Sequence, residues 1–117
     1  MSVKNVKEFE KEEVKAATDT YRQVLISSDQ GPHFAMRRCI IMAGGMMPLH
    51  TNMVEHEQYV LAGQASVIIG GQNHRVKKGD VVFIPANVPH SYQTIGDESF
   101  EFLCMVPNQP DEITMID

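Results

Sequence analysis

From about residue 20 to residue 107 the chain contains no uninterrupted run long enough to serve as a helical crossover, and this limits its architecture more than any other feature. TYRQVLIS is cut by SDQGP, HFAMRRCIIM by AGGMMP, and EQYVLAG turns through Gly63-Gln64 into ASVIIGG. Gly70-Gly71-Gln72 leads into NHRV, Lys77-Lys78-Gly79-Asp80 into VVFIP, and GDES separates HSYQTI from FEFLCMV. Short apolar or alternating runs punctuated this closely predict antiparallel strands in a sandwich or barrel. Parallel βαβ units need crossovers of about a dozen residues, and there is no room for them.

Length and charge narrow the choice further. The 117 residues fit one domain, since domains run roughly 100–200 residues. The expected organisation is a single domain over 1–117 with a barrel core at about 20–107, an N-terminal arm (1–19) and a C-terminal tail (108–117). The charged arm can be a short helix or an extended segment. Ten Lys and Arg against fifteen Asp and Glu give a net charge of −5. No basic stripe is present, which argues against nucleic acid and acidic membrane surfaces as partners. No apolar run approaches the ~20 residues that span a bilayer. MSVKNVKEFEKEE also lacks the apolar core of a secretory signal, so the cytoplasm is the expected compartment. Cys39 and Cys104 are too few for a disulfide framework and are expected to be small buried hydrophobes.

Of the five histidines, three fall where they can cooperate. In PLHTNMVEHEQYVLAG, His50 and Asn52 are two residues apart. On a strand they share a face, with Cα atoms roughly 6.6 Å apart. His56 has the same parity, but on one straight strand it would lie about 20 Å from His50. The two can meet only if Met53-Val54-Glu55 is a bend and His56 opens the next strand. His90 follows after the rigid PANVP segment. His33 and His74 lie outside this pattern and read as surface residues.

Gly44, His50, Asn52, His56 and Gly63, followed by Gly79, Pro85, Asn87 and His90, resemble the two motifs of the cupin family. The likeness extends by strand pattern over roughly residues 20–107 and is strongest to small single-domain bacterial cupins reading H-x-H-x3-H-E. It implies a cupin double-stranded β-helix, a jelly-roll barrel of two antiparallel sheets. It also implies an all-histidine site for one divalent transition ion (Mn, Fe, Ni, Cu or Zn), with His50, His56 and His90 as ligands. Asn52 stands where the family has its second histidine. Because an amide oxygen is a much weaker donor than imidazole, Asn52 or water would complete the shell. Asn87 replaces a usual glycine, a change that asparagine's tolerance of left-handed angles makes silent.

Strand alternation extends the expected pocket. With His56 inward, Gln58 and Val60 follow it; with His90 inward, so does Tyr92. Glu101 on the wet face puts Phe102 and Cys104 inside. Arg37 and Arg38 are adjacent, so one of them faces inward; both alternations of this strand carry apolar residues, and Arg37 is taken as the inner one. A buried arginine needs a carboxylate or an anionic ligand. Two functions fit: a metalloenzyme of oxygenase, redox or isomerase type acting on a small, partly apolar molecule, or a non-catalytic small-ligand or sensing barrel. One fold hosts many functions, so fold alone does not decide. Val24, Ile26, Ile40 and Met42 are expected to give an apolar outer face and hence a homodimer.

Overall fold

The computed structural model describes residues 1–116. After a 3-10 turn at Val6–Glu8 come ten strands: β1 (Glu12–Glu13), β2 (Thr18–Ile26), β3 (Phe34–Thr51), β4 (His56–Ala62), β5 (Gln64–Ile69), β6 (Gln72–Lys77), β7 (Val81–Ile84), β8 (His90–Ile95), β9 (Phe100–Pro107) and β10 (Thr114–Met115). They form one curled antiparallel sheet in the order β6-β5-β8-β3-β9-β4-β7, with β2 and β10 also paired to β3. β3 serves both halves, since Phe34–Ile41 pairs with β9 and Met46–His50 with β8. The turn spacing predicts antiparallel strands and the resemblance a jelly roll of two sheets; the structure is that all-β barrel, its two halves joined into one curled sheet through β3 and β9. Among the described residues no helix is long and apolar enough to cross a membrane.

Alternation fills the interior. Phe100, Phe102, Cys104 and Val106 on β9 are buried, as are Cys39 and Ile41 opposite them on β3 and Val60 on β4. Tyr92 and Val67 close the core from the facing half. Each fully buried side chain of this size contributes about 1.5–3 kcal/mol through removal of apolar surface from water. Gly63 alone joins β4 to β5 at φ +77°, and a Cβ there would stand 2.3 Å from the Ser99 carbonyl oxygen, so only glycine makes this turn.

The arm is neither a regular helix nor fully extended. Asn5 caps the 3-10 turn, with Glu8 completing a capping box. Gln23 Nε2 donates to the carbonyls of Val6 (3.1 Å) and Phe9 (3.0 Å), fixing the arm to the outer face of β2. The tail carries β10, which pairs with the last residues of β3.

The apolar outer face expected at Val24, Ile26, Ile40 and Met42 does not form. Val24 opposes Arg37 on the inner face, Ile26 follows a register shift and is only partly exposed, and Ile40 is buried. Only Met42 is exposed. Exposed apolar side chains gather instead on β4 and β7, where Tyr59 opposes Val81 and Phe83 opposes Glu57.

Candidate metal centre and its cavity

His50 and His90 are direct cross-strand partners on β3 and β8, with ring centroids 4.2 Å apart. The chain then bends at Met53-Val54, as the spacing requires, and His56 opens β4 with its ring 5.8 Å from that of His90. The bend alone does not turn His50 inward. Between Met47 and His50 the register with β8 shifts, so that three steps along β3 match two from Tyr92 to His90. Pro48 sits in this bulge, where its missing N–H breaks no ladder. The inward residues Arg37, Cys39, Ile41 and Met47 are odd-numbered, whereas His50 is even-numbered.

The far ring nitrogens are already committed. His50 Nδ1 lies 2.7 Å from the Pro48 carbonyl and His90 Nδ1 2.9 Å from that of Val88. A carbonyl only accepts, so Nδ1 carries the proton in both rings and Nε2 keeps its lone pair. His56 Nδ1 lies 3.2 Å from Cys104 Sγ, while its Nε2 is buried without a partner. Asn52 Nδ2 donates to Asp111 Oδ2 at 3.1 Å, and the Met53 N–H donates to the other carboxylate oxygen at 2.7 Å. That clamp fixes the orientation of the amide and leaves Asn52 Oδ1 buried with no donor.

Burial sets the charge state. His56 is pushed down to about 3 by desolvation, reinforced by Arg37 and His90. Burial lowers His90 to about 4, with a smaller contribution from His50 and opposition from its bond to Val88. Both are therefore neutral at neutral pH, the form that ligates a metal. Proton competition at these two rings begins well below the 6.5 of a free histidine. Burial also raises Cys39 to about 12 and moves Cys104 and Tyr92 upward, so none of the three ionises near neutrality.

These donors suit a transition ion: two imidazoles whose tautomers are fixed by backbone carbonyls, a third with an orphaned ring nitrogen, and one orphaned amide oxygen. They are not fully drawn together. Among the described residues no three His, Cys, Asp or Glu side chains stand close enough to hold an ion. Two imidazoles on one ion at about 2.1 Å place their centroids about 4.5–5.5 Å apart. The His50–His90 and His56–His90 separations fall on either side of this range, so occupancy requires the His56 ring to move inward. Asn52 gives a direct check. Asn52→His is expected to tighten metal retention, and Asn52→Ala to weaken it by up to about tenfold, in a chelator-competition titration. Equal retention by all three proteins would remove Asn52 from the site.

Beside the imidazoles lies a cavity of about 90 Å³. Of the residues expected from sequence, His50, Asn52, His56, His90, Gln58, Tyr92, Phe102, Cys104 and Arg37 all line it. Val60 does not: it is 1% exposed, four residues along β4 from His56, and packs in the core. Gln58 Nε2 donates to Tyr92 Oη at 2.7 Å across the two halves, leaving the phenolic proton free for a ligand. Sequence reasoning missed Arg22, Cys39 and Met47, together with Ile113 and Met115 from the tail. The ambiguous alternation of β2 hid Arg22. No sequence signal places the tail, or Asp111, against residue 52. Asn87 takes φ +66°, as expected, and its N–H donates to the Asn52 carbonyl at 2.8 Å.

Several known proteins share this fold. The polyketide cyclase RemF from Streptomyces resistomycificus is 26% identical, with a TM-score of 0.90, covering 100% of this chain and 86% of that one. A cupin-2 domain from Rhodospirillum rubrum is 26% identical, with a TM-score of 0.81, covering 100% and 80%. A predicted oxalate decarboxylase from Thermotoga maritima, at 20% identity and a TM-score of 0.79 over 98% and 100%, shares the fold. An uncharacterized protein of Methanocaldococcus jannaschii is 29% identical over 76 residues, 64% of this chain; the match spans 61% of that protein's length. The cupin domain model (Cupin_2) matches residues 37–106, from the inward arginine of β3 to the last inward residue of β9, and the chain belongs to that family.

Proposed function

We propose that the protein is a metal-dependent cupin enzyme acting on a small, partly apolar molecule with oxygen donors. The ion would be held by His50, His56 and His90, with the Asn52 oxygen beside them. The observation that carries this reading is the set of committed Nδ1 atoms, which leaves the Nε2 lone pairs of His50 and His90 and an orphaned His56 Nε2 beside one cavity. An ion there would polarise a substrate carbonyl as a Lewis acid. Tyr92, neutral and with its hydroxyl oxygen engaged by Gln58, can donate a hydrogen bond to substrate oxygen. Phe102 and Met47 supply apolar wall that keeps water out. Among the described residues no Asp or Glu lines the cavity to act as a general base. Carbonyl chemistry of isomerase or cyclase type is favoured over oxygenase chemistry by the likeness to a polyketide cyclase, and its proton transfers would pass through a histidine or water rather than a carboxylate. At about 90 Å³ the cavity takes one end of a large molecule or the whole of a small one.

The reading includes a homodimer, now supported by the exposed Tyr59, Val81 and Phe83 and checked by light scattering. A second reading, a metal-free ligand-binding barrel, is favoured by the incomplete convergence of the three rings. Elemental analysis of protein purified without an affinity tag separates the two. Wild type is expected to hold one transition ion per chain, and His50→Ala, His56→Ala and His90→Ala each to lose at least about 90% of it on dialysis, since removing one of few strong ligands leaves an amide and water. Full metal retention by His90→Ala would sink the assignment.

A further inference from the structure

We propose that Arg22 and Arg37 form an anion subsite in the inner cavity, and that the small molecule held there carries a carboxylate. This deepens the substrate class given above; it rests on that reading in taking the cavity as the ligand site, and not on the ion.

The argument starts from two adjacent arginines with different surroundings. Arg38, on the outer face, is satisfied: it pairs with the Glu101 carboxylate and donates to Gln23 Oε1 at 2.8 Å. Arg37, on the inner face, has no carboxylate within salt-bridge distance among the described residues. Its one side-chain contact is from Nη2 to Cys104 Sγ at 3.8 Å, and its Nε is buried without a partner. Arg22 repeats the pattern. Its Nε is likewise buried and unpartnered, and its one ion pair is a 3.6 Å approach to the exposed Glu12.

The sheet register brings the two together. Arg22 opposes Cys39, and Val24 opposes Arg37, so the arginines are diagonal neighbours on one face. Such neighbours lie about 7–8 Å apart, within reach of a shared ligand for side chains this long. Both also line a larger groove of about 640 Å³ on their other side, so they stand between the inner cavity and an outer opening.

Charge completes the case. The chain carries five more acidic than basic residues, yet among the described residues the inner cavity is lined by two arginines and three histidines and by no Asp or Glu. Two permanently charged guanidiniums facing an apolar space call for a counter-charge. A planar carboxylate matches their fork of donors. Cys104 touches both Arg37 and His56, so a carboxylate on the arginines would lie one side chain away from the His56 ring, and the rest of the molecule would extend along the cavity past the imidazoles.

The test uses metal-free, chelator-treated protein with benzoate and its neutral isostere benzamide, titrated by calorimetry or NMR. Wild type is expected to bind benzoate at least about tenfold more tightly than benzamide. Arg37→Gln should weaken benzoate by about ten- to a hundredfold and erase the preference, whereas Arg37→Lys keeps part of it. Arg38→Gln, altering the outer face, should leave it unchanged. Equal binding of the two probes by wild type overturns the proposal, and this comparison needs no variant to fold. So does a folded Arg37→Gln protein with undiminished benzoate affinity, or benzoate binding that appears only after metal is added. Metal content, measured separately, reports on the histidine site alone, so the two readings fail independently.

Discussion

Lowering the pH of the metal-free protein from about 7 to about 5 is expected to remove about 3–4 kcal/mol of folding stability through His56 and His90 alone. Their folded-state values of about 3 and about 4 lie below the 6.5 of an unfolded histidine, so each ring takes up a proton more readily once the chain opens. The stabilising contribution is complete above about 6.5 and drains away as the pH falls toward the folded values. Both side chains are nearly inaccessible, at 6% and 1%, so solvent does little to screen the effect. Urea midpoints of chelated protein at the two pH values measure it. His56→Gln and His90→Gln should each flatten the dependence. A wild-type midpoint unchanged between the two pH values would contradict the burial argument.

Phe102→Ala is expected to cost about 3–5 kcal/mol. The ring is 2% exposed, stacked on Tyr92 at 5.2 Å between centroids and 16° between planes, and lies 5.4 Å from Phe100. Strands on both sides of β9 hold the surrounding backbone, which limits how far the void can collapse. Because Phe102 also borders the cavity, its loss enlarges the ligand space along with destabilising the fold. Chemical denaturation measures the first effect, and the change in affinity for a bulkier probe measures the second. A loss below about 1 kcal/mol would mean that the core repacks around the gap.

The fold was legible because its cause is local: turn residues at close intervals leave only antiparallel strands. The three histidines were legible because the resemblance to the cupin motifs groups them, and strand parity then requires a bend after Asn52. What sequence could not supply came from places where that geometry breaks. β3 carries apolar residues on both alternations, and its inward parity changes at Pro48. No single phase therefore describes Arg37 and His50 together. Val60 was placed in the pocket because parity says which face a residue takes and nothing about depth along the strand. Asp111, Ile113 and Met115 reach the site from a tail whose pairing with β3 is a contact between distant parts of the chain. The dimer face was misplaced because the four apolar residues do not share one exposed face: Val24 sits beside Arg37 on the inner side of β2, while Ile40, on the outer side of β3, is already buried.

The bulge at Pro48 has a consequence for how chains like this one can diverge. His50 stays opposite His90 because the bulge absorbs the additional residue that separates it from Met47. Removing one residue there would leave two steps on β3 against the two from Tyr92 to His90, so plain alternation would keep His50 facing the cavity with no bulge at all. Removing two would leave a single step and turn the ring to the outer face, even with every side chain of the site retained. A relative one residue shorter between Met47 and His50 can therefore keep the geometry of the site, whereas one shorter by two would carry its letters without it.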